Sequence, residues 1–305
     1  MKPIFANITA SVGGFLLSSF IVTCSAEDSW NFNASTMSMA GKYNDSQQLN
    51  NQSGLGFKLT AEYDKSFGAT AGVRTTQLNL VQQNGFDSIN QTDWLVSSFL
   101  HTPIDAISTR LTLSFDSHKI NNNDPTSRSD GVFVIAPQLS LMSYEYPFTV
   151  GMSYAKSYYK NSMNVNQFST GMNYGFNSGL NYVNLQLYRI SVQDPTIYVR
   201  NFNSYEIKLT HIIDSTKELL PNLITISSDQ GDRLFQVDML TQTVNNLSMI
   251  NRGGESIAFS WFLSDKSKFS AELRKIRYRS TIEIPGLNVT NFSSANVGVQ
   301  FVKNW

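Results

Sequence analysis

The chain has 305 residues, 41% hydrophobic and 12% aromatic but only 15% charged, against roughly a quarter charged in an ordinary soluble domain. Lys plus Arg and Asp plus Glu both number 23, so the basic excess of a nucleic-acid binder is missing. One cysteine and three histidines (His101, His118, His211) exclude a disulfide scaffold and any multi-cysteine or histidine-rich metal centre.

Residues 1–26 read as a secretory signal. Lys2 supplies the positive start, Ala10 to Val22 an apolar stretch of signal length, and Cys24-Ser25-Ala26 small residues before Glu27. The stretch is shorter than the about 20 apolar residues of a spanning helix, and no later segment approaches that length. Ile21-Val22-Thr23-Cys24 has the outline of a lipoprotein signal, but Thr23 stands where that signal carries Gly or Ala. Cleavage after Ala26 is therefore expected. The remaining domain, 27–305, then holds no cysteine, which suits a chain crossing an oxidising periplasm unfolded.

From Glu27 onward the recurring period is two, not 3.6. One segment sets Leu55, Phe57, Leu59, Ala61 and Tyr63 against Gly56, Lys58, Thr60, Glu62 and Asp64. Another sets Ile107, Thr109, Leu111, Leu113 and Phe115 against Ser108, Arg110, Thr112, Ser114 and Asp116. About fourteen such strands are expected, near 29–40, 54–64, 68–80, 92–101, 106–118, 131–143, 147–158, 166–176, 180–192, 203–213, 222–230, 255–264, 267–279 and 294–305. Pro137 interrupts the sixth and implies a bulge or a different strand count, and the third shifts phase between Val73 and Leu78. These leave twelve to sixteen open.

Short connections such as 64–67, 177–179 and 265–267 alternate with longer polar ones at 41–53, 119–130, 193–202 and 231–254. Short turns at one end and long loops at the other are the rhythm of a transmembrane antiparallel up-and-down β-barrel. Such a sheet closes on itself because every backbone group within a bilayer must be paired. The fold class expected is all-β. The 231–254 loop constricts or plugs the barrel if it folds inward.

Charges that fall between outward-facing neighbours point into the lumen: Lys58, Glu62, Arg110, Asp116, Glu206, Lys208, Glu272 and Arg274. On the lipid face each would cost about 2–4 kcal/mol near the midplane. They are expected to line a water-filled pore, the alternative being salt bridges that fill a closed lumen. Arg274-Lys-Ile-Arg-Tyr-Arg279 suits lipopolysaccharide phosphates or an anionic solute at the mouth, and equally a solvated strand end. Asp229-Gln-Gly-Asp232 reads as a polar turn rather than a cation site.

No Gly-x-Ser-x-Gly elbow is present. His211 has Asp214 nearby but no placed serine, and His101 and His118 are expected at strand ends as interfacial or loop residues. No enzyme and no cofactor are expected.

The chain closes on Val297-Gly-Val299-Gln-Phe301-Val-Lys-Asn-Trp305, with apolar residues at alternate positions before a terminal aromatic and only Lys303 departing. This resembles the C-terminal signal of bacterial outer-membrane β-barrel proteins, and the resemblance extends back to the N-terminal signal. It implies assembly by the barrel machinery through Val297, Val299, Phe301 and Trp305, with outer-membrane lipid and lipopolysaccharide as neighbours. Likeness to monomeric fourteen-stranded porins implies passive passage of small polar solutes or ions. Arg277-Tyr-Arg-Ser and the final strand are also similar, over about 30 residues, to the end of the surface lipoprotein assembly modifier barrels. The helical repeats of those proteins are absent. A translocation or assembly barrel and a closed structural or adhesive barrel are the alternatives.

Overall fold

The computed structural model describes residues 30–83, 86–123, 130–160, 162–194, 201–213, 220–238, 241–246, 249–280 and 291–305. The expected signal, Cys24 and Asp214 lie outside them. The strands are β1 (Trp30–Asn44), β2 (Leu49–Tyr63), β3 (Phe67–Gln83), β4 (Phe86–Ile104), β5 (Thr109–Asn122), β6 (Val132–Ser143), β7 (Phe148–Tyr158), β8 (Asn164–Phe176), β9 (Asn181–Gln193), β10 (Asn201–Ile212), β11 (Leu223–Arg233), β12 (Val237–Asp238), β13 (Thr243–Val244), β14 (Met249–Ser264), β15 (Ser267–Ser280) and β16 (Asn291–Asn304). All but β12 and β13 form one closed antiparallel barrel of fourteen strands, each paired with its sequence neighbours. β1 and β16 close the ring from Asn33↔Asn304 to Asn44↔Ser293. Each of the fourteen expected segments coincides with one barrel strand.

The alternation works as a sorting rule. Leu55, Phe57, Leu59 and Tyr63 on β2, Leu113 and Phe115 on β5, and Tyr205, Ile207 and Leu209 on β10 are exposed on the outer face. In water these would be liabilities; against lipid they form the apolar belt of a membrane barrel. Among the described residues no helix is long and apolar enough to span a membrane.

At the end that holds Trp30 and Asn304, several connections are tight. Asp64 and Lys65 both take positive φ (46° and 53°), a two-residue turn whose twist matches the flanking strands, and Ser66 N–H closes it on the Tyr63 carbonyl at 2.8 Å. At the other end the segment 41–53, expected as a loop, is mostly strand: β1 runs to Asn44 and β2 starts at Leu49. The reversal needs only Asp45 (φ 62°) and the Ser46 hydroxyl, which accepts from the Leu49 N–H at 3.0 Å. Polar residues mark where these strands leave the bilayer, not where they end.

Two irregularities resolve differently from expectation. Pro137 makes no bulge. The β6–β7 ladder lapses at Ala136 and Pro137 and resumes at Gln138↔Ser153 in the same register, while pairing to β5 continues through Phe115↔Pro137. β3 does not shift phase either: Leu78 is buried inside the barrel, because the loop-side interior is itself apolar.

Candidate functional site

The lumen is occupied at its loop-side half by the connection between β11 and β14. The departure starts at a register shift between Gln230 and Arg233. Gly231 sits there at φ 90° with its α-carbon so close to β10 that a Cβ would meet the Asn203 carbonyl at 2.4 Å, so only glycine allows the bend. Arg233 then roots the segment. Its Nε donates to Ser204 Oγ at 2.9 Å and its Nη2 to the Tyr205 carbonyl at 2.8 Å. Its guanidinium stacks 4.9 Å from the Tyr188 ring centroid and lies 3.4 Å from Asp229. Leu234, Phe235, Val237 and Val244 follow, all buried, against Ile120, Val134, Val165, Ile190 and Phe202 of the β5–β10 wall.

β12 and β13 form a small hairpin across the opening, joined by Val237↔Val244. Gln167 on β8 grips Val237 from both sides, accepting from its N–H at 3.0 Å and donating to its carbonyl at 2.6 Å. Lys58 on β2 donates to the Thr241 carbonyl at 2.7 Å, Arg74 on β3 to the Val244 carbonyl at 2.7 Å, and Gln242 to Asp116 on β5 at 3.2 Å. In a ring of fourteen, β5 lies opposite β14, so the hairpin spans the full width of the lumen. The Tyr159 hydroxyl donates to Asn246 at 3.1 Å. Burial pushes that phenol well above its ordinary range, so it stays a donor.

Space remains on the side away from the apolar wall. A cavity of ≈190 Å³ runs between the hairpin and β1–β4, β14 and β15, with Arg74, Glu206, Asp238, Arg274 and Gln52 in its lining. Above it Tyr43, Leu49, Leu78, Tyr278 and Phe292 cluster, with Tyr278 and Phe292 stacked at 5.2 Å. Toward the turns the inner wall is polar, with cross-strand hydroxyl pairs Thr60–Thr70, Thr210–Thr225 and Ser260–Ser270 at 2.8–2.9 Å. The barrel is thus apolar outside, polar inside toward the turns, and narrowed by the hairpin in its loop-side half.

The eight charges singled out in the sequence sit as follows. Lys58 and Asp116 hold the hairpin. Glu206 and Lys208 pair at 2.9 Å, and Arg274 pairs with Asp229. Glu62 lies 3.7 Å from His101 Nε2, Arg110 contacts Met142 Sδ at 3.7 Å, and Glu272 lies in register opposite Ala258 and Gly298. Arg233, Arg74 and Asp93 are equally central and were not singled out. Arg233 belonged to a presumed loop, and Arg74 lay where the pattern of β3 looked broken.

Other expectations change. His118 is neither interfacial nor in a loop: it is fully buried on β5, its Nδ1 3.0 Å from Asp93, which also meets Arg74 at 3.4 Å. His101 is inside as well, its Nδ1 2.8 Å from Thr112 Oγ1. His211 is exposed and bonds Asn181 at 2.9 Å. Asp229–Asp232 is no turn but the end of β11, each carboxylate held by arginines: Asp229 by Arg233 and Arg274, Asp232 by Arg252 and Arg279. The 274–279 run is split by the pleat, with Arg274 inward and Lys275, Arg277 and Arg279 on the outer face.

No family model matches the chain, and no curated protein does either. Among solved structures, it is similar to the CymD monoaromatic hydrocarbon channel (TM-score 0.56, 9% identity, 92% of this chain and 89% of that one). It is also similar to the Pseudomonas putida toluene transporter TodX (0.55, 10%, 91% and 90%) and to a bacterial polysaccharide outer membrane secretin (0.50, 12%, 89% and 98%). The fold is that of an outer-membrane β-barrel. At such identities the likeness carries architecture and nothing finer, and none of these three is a surface lipoprotein assembly modifier.

Proposed function

We propose that this outer-membrane barrel is a passive, narrow pore for small polar solutes or ions. The observation that carries the reading is the charged cavity left between the inward hairpin and the β1–β4 wall. It is lined by both signs of charge, and the inner wall toward the turns carries hydroxyl pairs. A solute crossing there exchanges water for carboxylate, guanidinium and amide groups, which favours polar cargo with weak ion preference. Lys58, Glu62, Arg110, Asp116, Glu206, Lys208, Glu272 and Arg274 line this route. The hydrocarbons named for CymD and TodX belong to those proteins; a lining this charged does not suit them. The chain reaches the outer membrane with residues 1–26 removed as a signal, and the barrel assembly machinery reads its C-terminal strand.

The test is single-channel recording of refolded 27–305 in a planar bilayer. Small, steady steps are expected. Replacing 234–248 by a short Gly-Ser link is expected to raise the conductance severalfold, since it removes the occupant of the constriction, and Arg274→Gln is expected to shift ion preference toward cations. Insertion without current in both the wild type and the hairpin deletion would sink the pore reading and leave a closed structural barrel.

A further inference from the structure

The geometry points to a binding site on the outer face of β14, β15, β16 and β1 for the phosphate groups of a lipid in the leaflet on the loop side. The inference rests on the outer-membrane placement and is independent of conduction. Its basis is the register. One row of outward residues runs Ala40↔Val297↔Leu273↔Ile257 across these four strands, and it is apolar throughout. The next row toward the loops runs Lys42↔Ala295↔Lys275↔Glu255. Beyond it lie Asn44↔Ser293↔Arg277 and Asn291↔Arg279. Each step is two residues, about 7 Å along the strand. The cations therefore begin one step above the apolar belt, at the level where lipid headgroups sit.

Charge and shape agree with the level. The chain as a whole is neutral, yet this patch collects Lys42, Arg252, Lys275, Arg277 and Arg279 against the carboxylates of Glu255 and Asp232. Glu255 is met by Arg277 at 3.3 Å, and Asp232 by Arg279 at 3.0 Å and Arg252 at 3.7 Å. Lys42 and Lys275 are exposed and pair with no carboxylate among the described residues. They stand on either side of β16, two strand spacings or about 10 Å apart, above a floor of Ala295 and Ser293. The trough opens into a cleft of ≈470 Å³ whose lining includes Arg252, Arg277, Asn291 and the acid Asp45. A small-residue floor between two free ammonium groups, with Arg277 one step above, fits a phosphate whose acyl chains continue down the apolar belt. On β7 the outward Lys156 stands 5.0 Å from the Tyr158 ring centroid; such a cation anchors at an interface without forming a cluster.

The experiment is native mass spectrometry of refolded 27–305 in mixed micelles with bis-phosphorylated lipid A or its dephosphorylated counterpart. The triple variant Lys42→Gln/Lys275→Gln/Arg277→Gln is compared after its folding is checked by heat-modifiable gel migration. The wild type is expected to retain the phosphorylated lipid about tenfold or more over both the dephosphorylated lipid and the triple variant. Millimolar inorganic phosphate should not displace it. Equal retention of the two lipids, or by the two proteins, overturns the site, and displacement by inorganic phosphate reassigns it to a free anion and overturns the lipid. A wild type that conducts but retains the two lipids equally sinks this inference alone; phosphate-dependent lipid retention without conductance sinks only the pore.

Discussion

Arg233 is 2% exposed and Asp229 1%, so an ion pair lies inside the barrel at the root of the hairpin. Such a pair is weak evidence of net stabilisation, but removing one partner strands the other charge, typically at about 3–5 kcal/mol. Arg274 still meets Asp229, so Arg233→Met is expected at the low end of that range, as a lowered midpoint in urea unfolding of the refolded barrel. The same substitution frees the hairpin from Ser204 and the Tyr205 carbonyl, so current noise should rise in single-channel records. An unchanged midpoint with quiet currents would show that the apolar contacts of Leu234 and Phe235 hold the hairpin unaided. The sequence offered Arg233 no prominence, because a buried arginine in a long connection looks like any polar loop residue until the connection is seen to turn inward.

A strand states its two faces by alternation, so what was legible at the level of elements was which residues look outward. Leu209 and Thr210 make the point: neighbours in β10, one is 52% exposed on the outer face while the other bonds Thr225 inside at 2.9 Å. Leu209→Lys is expected to cost about 2–4 kcal/mol in bilayer refolding titrations and Thr210→Lys almost nothing; equal costs would refute the assignment of faces. Strand ends were less legible. The pattern treats polarity as loop, yet β1 and β2 project beyond the apolar belt as polar strand, which is why 41–53 read as a connection. The hairpin was hidden for a different reason. Its residues are apolar enough to be buried, but nothing local to 231–254 says whether they pack against a wall of their own barrel. That wall, Ile120, Val134, Val165 and Ile190, was visible only as inward positions that happened to be apolar, and in β3 the same effect made a regular strand look out of phase.

The ring has no intermediate that is both complete and lacking its last strand. β16 pairs with β15 beside it in sequence and with β1 some 260 residues away, and pairings of such separation form late because the chain entropy of closure must be overcome first. Side-chain and main-chain contacts tie the seam: Asn33 donates to Asn304, and Trp305 N–H donates to the Phe32 carbonyl at 2.9 Å. The Trp305 side chain itself is exposed on the outside. Closure and recognition therefore separate cleanly at this residue. Trp305→Ala keeps the backbone donor, so unassisted refolding in detergent should proceed to the same heat-modifiable barrel. In cells, where assembly machinery is proposed to read the alternating Val297, Val299, Phe301 and Trp305, the same variant should appear in the outer membrane at severalfold lower levels. Deleting 301–305 also removes the turn-side third of the seam, Thr36↔Phe301 to Asn33↔Asn304, and should fail in both settings. If Trp305→Ala assembles in cells as the wild type does, the terminal aromatic is only an interfacial anchor of the last strand, and recognition by the machinery must rest elsewhere.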